Sequence, residues 1–266
     1  MIATNPERIV CLTEEPTETL YLLGEQDRIV GISGFTVRPK QARRDKPKVS
    51  AFTSAKIDKI LDLKPDLVVG FSDLQADIAA ELIRAGVTVL IYNHRSVNEI
   101  LNMIMTLGSM VGAGQKATEL VEGYRQRIVA LQKKTAEAHN KPRVYFEEWD
   151  DPQITGIRWV GELIEIGGGV DCFADLHWAS MGKDRILADP LEVVRRAPDI
   201  IIGSWCGKKF RPEKVAAREG WHDVPAIRDG ELHEIKSVDI LQPGPAALSD
   251  GLDQIVAIID AWQAKL

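Results

Sequence analysis

One phrase occurs twice in this chain of 266 residues, about half a chain length apart. The segments "KPDLVVGFSD" (residues 64–73) and "APDIIIGSWC" (residues 197–206) each place a short apolar strand after Pro-Asp and end it in a glycine and an aromatic residue. A repeat this long, with helical segments of its own in each half, is typical of two similar domains. A solenoid would show a shorter period and at least three copies.

Apolar strands alternate with amphipathic segments in both halves. The first half reads "RIVCLT", "PTETLYLLG", "RIVGIS", "KIDKILDLK", "PDLVVGF", "QADIAAELIRAG" and "VTVLIY". The second half follows with "RVYFEEW", "IRWVGELIEIGGG", "DPLEVVRRA", "PDIIIGSW", "RPEKVAAREG" and "ELHEI". Such alternation predicts βαβ units and mostly parallel sheets. Gly24 and Gly86 stand where a helix C-cap is expected.

These patterns predict an α/β protein of two Rossmann-like lobes joined by one long backbone helix. The expected boundaries are an N-terminal lobe over residues 1–96, a connecting helical segment over 97–140 and a C-terminal lobe over 141–266. Within the connecting segment, helical spacing of Val121, Tyr124, Ile128 and Leu131 predicts a long helix at about residues 115–138.

Composition excludes several classes of protein. The formal net charge of −6 is not clustered, which argues against nucleic-acid binding, and no apolar run reaches the roughly 18 residues of a membrane span. No P-loop, nucleophile elbow or zinc-protease motif occurs, and "GAGQKA" follows a predicted helix where a dinucleotide site needs a strand. The five histidines lack ligand spacing, so we expect no metal site and no catalytic cofactor.

The N-terminus and the cysteines bear on location. "MIATNPERIVCL" shows no leader features, and three widely spaced cysteines do not suggest a disulfide framework. A cytoplasmic location is slightly favoured if Met1 is the native start, and a periplasmic one is expected if a signal peptide was removed.

Aromatic and polar side chains collect where predicted strands end. Ligands of open parallel sheets bind beyond the carboxyl ends of the strands. We therefore expect indoles at these positions to face a ligand instead of the core, and a large, flat, partly apolar molecule suits them best. The predicted ligand-binding residues are Thr13, Glu14, Glu15, Ser33, Phe35, Thr36, Phe52, Phe71, Trp149, Asp150, Trp159, Trp205 and Gln242.

Three segments carry a resemblance to a known family. They are "RIVCLTEEPTETLYLLGEQDRIVGISGFTVRP", "KPKVSAFTSAKIDKILDLKPDLVVG" and "DPLEVVRRAPDIII". Over nearly its whole length the chain resembles class III periplasmic binding proteins of the cobalamin and iron-siderophore type, with the cobalamin-binding branch closest. The resemblance implies a non-enzymatic, substrate-binding protein of an ABC transporter that holds a corrinoid such as cobalamin between its lobes. It places Thr13–Glu15, Ser33–Thr36, Phe52, Glu148–Asp151 and Trp205 at the ligand.

Two alternatives stay open beside the corrinoid, and one partner is in question. The ligand could instead be a ferric siderophore or a haem-like chelate, which would need basic partners such as Lys208, Lys209 and Arg158. A corrinoid-handling enzyme would use Glu14, Glu15 or Asp150 as acid and base. Family members dock on an ABC permease through one acidic residue on each lobe. Here the first-lobe position falls on Asp58 and the second-lobe position on Leu191, with Glu192 and Asp189 only as near neighbours, which is atypical for a permease contact.

Overall fold

The computed structural model describes residues 5–266, and their contacts divide into two units. The first unit comprises the chain up to His94 together with residues 98–123 and 243–245. The second comprises residues 95–97, 124–242 and 246–266. Residues 1–4, on which the expectation about the native start rests, lie outside the described part of the chain.

The first unit is built on a parallel sheet in the order β3-β2-β1-β4-β5. Its central strands are buried because helices cover the sheet. The elements are β1 (Ile9–Cys11), α1 (Glu14–Leu22), β2 (Ile29–Ser33), α2 (Lys40–Asp45), β3 (Lys48–Ser50), α3 (Ile57–Asp62), β4 (Leu67–Phe71), α4 (Ala76–Arg84), β5 (Val89–Tyr92), α5 (Val97–Met110) and α6 (Gly114–Ala136).

The second unit contains a mixed sheet in the order β10-β9-β6-β7, with β8 pairing beside the start of β6. Only the β6–β7 pair among these described strands is antiparallel. The elements are β6 (Arg143–Asp150), β7 (Gln153–Thr155), α7 (Arg158–Ile166), β8 (Val170–Asp171), α8 (Leu191–Arg196), β9 (Ile200–Gly203), α9 (Pro212–Ala216), α10 (Pro225–Arg228), β10 (Leu232–Glu234), α11 (Ser237–Ile240) and α12 (Leu252–Gln263).

The repeated Pro-Asp phrase plays the same structural role in both sheets. Asp66 precedes β4, and its carboxylate accepts hydrogen bonds from the backbone N–H groups of Glu7 (2.7 Å) and Arg8 (3.0 Å), just before β1. Asp199 precedes β9, and its carboxylate accepts one from the N–H of Arg143 (2.7 Å) at the start of β6. Each aspartate therefore fixes the first residues of the neighbouring parallel strand, and each leads into a buried strand.

The two glycines predicted to end helices do so. Gly24 follows α1 with φ +76°, and Gly86 follows α4 with φ +83°. Beyond them, the N–H of Glu25 bonds to the carbonyl of Leu20 (2.8 Å) and the N–H of Val87 to that of Leu82 (3.0 Å), which satisfies carbonyls in the last turn. The long helix is also present as α6, of 23 residues, and α5 precedes it.

The structure confirms the predicted α/β class with largely parallel sheets. The predicted boundaries at residues 96 and 141 stay predictions. By contacts, α6 contributes residues 114–123 to the first unit and its remainder to the second, and residues 243–245 return to the first unit. None of the helices within residues 5–266 combines the length and apolar character of a membrane span.

Candidate ligand-binding site

Two carboxyl groups lie directly after β1, at the start of α1. Glu15 is 2% exposed, and its Oε1 accepts a hydrogen bond from the Thr13 hydroxyl at 2.7 Å. Its Oε2 is buried without a hydrogen-bond partner among the described residues. Burial raises the pKa of Glu15 to about 8 and that of Glu14 to about 7, although a helix N-terminus favours the ionised form. Both groups are therefore largely protonated below neutral pH.

The exits of β2 and β3 supply one exposed ring and several buried polar groups. Phe35 is 56% exposed, and its N–H is held by the Ser33 hydroxyl at 3.1 Å. Thr36 is fully buried, and its hydroxyl has no hydrogen-bond partner in the described part of the chain. Phe52 is half-buried, and its carbonyl accepts a hydrogen bond from the Gln75 amide at 2.9 Å. Phe35 thus provides an exposed aromatic surface at the carboxyl ends of the strands of the first unit.

The exit of β4 holds Phe71 within a small aromatic cluster. The centroid of the His94 ring lies 4.9 Å from that of Phe71 and 5.9 Å from that of Tyr92. His94 is 5% exposed, with Nε2 2.7 Å from the carbonyl oxygen of Pro243. Neither Tyr92 nor His94 was among the predicted site residues. Tyr92 ends the last predicted strand of the first half, "VTVLIY", and His94 follows it, and that position was the available signal.

A buried carboxylate organises the corresponding edge of the second unit. Glu147 is fully buried in β6 and accepts hydrogen bonds from Arg218 (2.6 and 2.9 Å), the Trp205 indole N–H (3.0 Å) and the Tyr145 hydroxyl (3.1 Å). The bidentate arginine compensates the buried charge. Sequence reasoning missed Glu147. The alternation that places it on the same face of β6 as Tyr145 could have found it.

Trp149 and Asp150 lie at the end of β6, beside a lysine from the loop after β9. The Trp149 indole donates to the carbonyl of Asp151 at 2.8 Å, and its ring is half-buried. The Lys208 ammonium lies 3.9 Å from the Trp149 ring centroid and 5.3 Å from that of Trp205, and it forms an ion pair with Asp150. These contacts place a positive charge against the half-buried indole ring.

Two other predicted tryptophans are core residues. Trp205 and Trp159 are each 3% exposed. Trp205 packs edge-to-face on Phe210 at 5.0 Å, and the Trp159 indole in α7 donates to the carbonyl of Ile240 at 2.9 Å. The expectation that indoles at these positions turn away from the core is wrong for both, because buried hydrogen-bond acceptors hold their N–H groups. Gln242 is partly exposed, two residues after the end of α11.

The predicted docking acids differ in their surroundings. Asp58 is exposed in the first turn of α3. Glu192, in α8, accepts from Arg196 at 2.8 Å and from Arg195 at 2.7 Å, and these hydrogen bonds lower its pKa. Within residues 5–266 no group of three or more His, Cys, Asp and Glu side chains is placed to hold a metal ion.

Comparisons with known proteins give consistent matches over most of the chain. The model of a family described as periplasmic binding protein matches residues 9–238. An uncharacterised ABC transporter substrate-binding lipoprotein, YvrC of Bacillus subtilis, is 27% identical over 97% of this chain and 81% of its own length. The vitamin B12-binding protein of Vibrio cholerae is 24% identical over 97% of this chain and 91% of its own. The periplasmic haem-binding protein RhuT of Roseiflexus has a TM-score of 0.81 at 24% identity, covering 97% and 99% of the two chains.

These matches confirm the resemblance found in the sequence and correct one expectation. The favoured cytoplasmic location is wrong, because similar proteins include a substrate-binding lipoprotein and proteins named as periplasmic, which points to a location outside the cytoplasm. The matched family consists of binding proteins of transport systems and not of enzymes. The residues predicted to contact the ligand, and Asp58 and Glu192 as docking residues, stay predictions.

Proposed function

Because the chain belongs to the periplasmic binding protein family, we propose that it is the non-enzymatic substrate-binding component of an ABC transporter and that its ligand is a corrinoid such as cobalamin. Relatives named as cobalamin-binding or vitamin B12-binding support this ligand. An ABC permease is then the expected partner.

The observation that carries the proposal is the indole of Trp149 at the end of β6. Its N–H is held by the carbonyl of Asp151, so the plane of the ring is fixed before any ligand arrives. Beside it, Trp205 is held in the core by Glu147 and by packing on Phe210, and the partly buried Trp149 ring packs against this core; we call the Trp149 ring with this support the aromatic wall. A large, flat, partly apolar macrocycle gains most from such a surface, because little side-chain entropy is lost on binding.

Titration calorimetry with cyanocobalamin, followed in parallel by the visible spectrum, tests the proposal. We expect saturable binding at micromolar concentration or below. Trp149→Ala should weaken it about tenfold or more, since loss of one aromatic contact costs roughly 1–3 kcal/mol. The matched control is Trp178→Ala, which removes a 76% exposed indole from a loop and should leave the affinity unchanged. Absence of any response to cyanocobalamin would overturn the corrinoid assignment.

A ferric siderophore or haem-like chelate is the second candidate ligand. The positive charge of Lys208 and Lys209 next to the same aromatic wall favours it, because such chelates carry acidic groups. Haemin and a ferric siderophore titrated under the same conditions separate the two candidates. Saturable binding of one of these, with none of cyanocobalamin, would replace the corrinoid as the proposed ligand.

A further inference from the structure

The second unit contains a cavity of about 380 Å³ beside its aromatic wall. We call it the basic cavity, and it is lined by Asp150, Trp205, Lys208, Lys209, Arg211 and Lys214. Its volume falls within the range of small-ligand pockets. Four of the six lining residues are cations and one is an acid, in a chain whose formal net charge is −6. The charge of the basic cavity is therefore opposite in sign to the net charge of the whole chain.

Among the described residues, two of these four cations form ion pairs and two do not. Lys208 pairs with Asp150, and Arg211 pairs with Glu213. Among residues 5–266, neither Lys209 nor Lys214 forms an ion pair, and both side chains belong to exposed residues. Two ammonium groups around one concave surface repel each other, and an anion placed between them relieves that repulsion.

The basic cavity is continuous with the surface proposed to receive the flat part of the ligand. Trp205 lines it, and Lys208 lies both in its wall and over the ring of Trp149 at 3.9 Å. An adjoining cavity of about 450 Å³ shares Trp205, Lys208 and Lys209 with it. A ligand that packs on Trp149 would therefore carry its substituents toward these lysines.

We propose that the basic cavity binds an anionic substituent of the corrinoid, either a phosphate diester or a carboxylate. This inference rests on the proposed function and narrows its ligand to corrinoids that carry such a group. Lys209 and Lys214 supply the charge to the anion, while Lys208 joins the basic cavity to the aromatic surface. No bond is made or broken, and the selectivity arises from charge pairing on a concave surface beside the buried Trp205.

The test compares three corrinoids by calorimetry on the intact protein at low and high NaCl. Cyanocobalamin carries a phosphate diester, dicyanocobinamide carries neither anionic group, and dicyanocobyric acid carries a carboxylate. The variant Lys209→Ala/Lys214→Ala removes two charges from the basic cavity. The control variant Lys40→Ala/Lys133→Ala removes two charges from exposed residues of α2 and α6, so the change in net charge is matched.

We expect the parent and the control variant to bind at least one anionic corrinoid about tenfold more tightly than dicyanocobinamide, with an advantage that declines at high salt. The Lys209→Ala/Lys214→Ala variant should lose that advantage and keep its affinity for dicyanocobinamide. Preference for cyanocobalamin identifies the phosphate diester, and preference for dicyanocobyric acid identifies the carboxylate. Equal affinity for all three, or equal losses in both variants, would overturn the inference while corrinoid binding stands. If the parent binds none of the three, the proposed function falls and this inference with it.

Discussion

The buried carboxyl of Glu15 should make the stability of this protein fall as pH rises. The side chain is 2% exposed, and Thr13 supplies the hydrogen bond to its Oε1. Gly244 packs so closely on it that an added Cβ at Gly244 would lie 2.5 Å from the Glu15 Cβ. Because burial removes most of the water that would stabilise a carboxylate, the pKa of Glu15 is raised from 4.5 to about 8.

The direction of the effect follows from which state holds the proton. Below pH 4.5 the carboxyl is protonated in both the folded and unfolded states, and the contribution to stability is fully present. Between about pH 4.5 and 8 the unfolded chain is ionised while the folded one keeps its proton, so folding must take up a proton. The contribution of Glu15 to the free energy of unfolding then falls by about 1.4 kcal/mol per pH unit, or about 3 kcal/mol from pH 5.5 to 7.5.

Urea unfolding of the parent and of Glu15→Gln at pH 5.5, 6.5 and 7.5 measures this slope. The glutamine has nearly the same shape and cannot ionise, so the variant should gain about 1.4 kcal/mol relative to the parent with each pH unit. The difference in slope is the readout, since any constant offset from the new amide cancels. Glu81→Gln, at an exposed position in α4, is the control and should run parallel to the parent. Parallel lines for the parent and Glu15→Gln would refute the reasoning, because they would mean that Glu15 is already ionised in the folded protein.

Two further sets of variants test the packing of the second unit and of α6. An added Cβ at Gly203 would lie 1.9 Å from Phe210, so Gly203→Ala should lower the free energy of unfolding by about 1–3 kcal/mol. Gly123 lies in α6 with open space around it, so Gly123→Ala should raise the free energy of unfolding by up to about 1 kcal/mol. Urea titration measures both changes, and equal effects of the two substitutions would contradict the packing. Arg218→Met leaves Glu147 buried without its bidentate partner and should cost about 3–5 kcal/mol. Adding Glu147→Gln to Arg218→Met should recover part of that loss in the same assay. The absence of any recovery would argue against a stabilising Arg218–Glu147 ion pair.

The fold could be predicted from the sequence because its signals are local. Buried strands, helical periodicity and helix-ending glycines each depend on a few consecutive residues, and Gly24 and Gly86 have the positive φ that a C-cap needs. The repeated Pro-Asp phrase also indicated that the two halves have equivalent strands. Asp66 and Asp199 accept hydrogen bonds from the backbone before or at the start of the neighbouring strand in their own sheets.

Short elements were less predictable because nothing local defines their length. The segment "RPEKVAAREG" reads as a longer helix, but α9 covers only Pro212–Ala216. The antiparallel strand β7 was not predicted at all. It follows β6 after the turn at Asp151 and Pro152, and its three residues give no periodicity to detect.

The side chains of the candidate site were the least predictable, because their environment depends on residues distant in sequence. Trp149 and Trp205 both follow predicted strands and Trp159 was added from a nearby segment, yet Trp159 and Trp205 are buried, with hydrogen-bond acceptors 81 and 58 residues away. Loss of Trp205 would leave Glu147 with one hydrogen bond fewer, so its removal acts on stability as well as on any ligand. Trp149 donates its hydrogen bond to a carbonyl only two residues along the chain, and its ring is half-buried instead of fully buried. A binding defect in a Trp149 variant that unfolds like the parent would therefore report on ligand contact, which the same defect at Trp205 could not do.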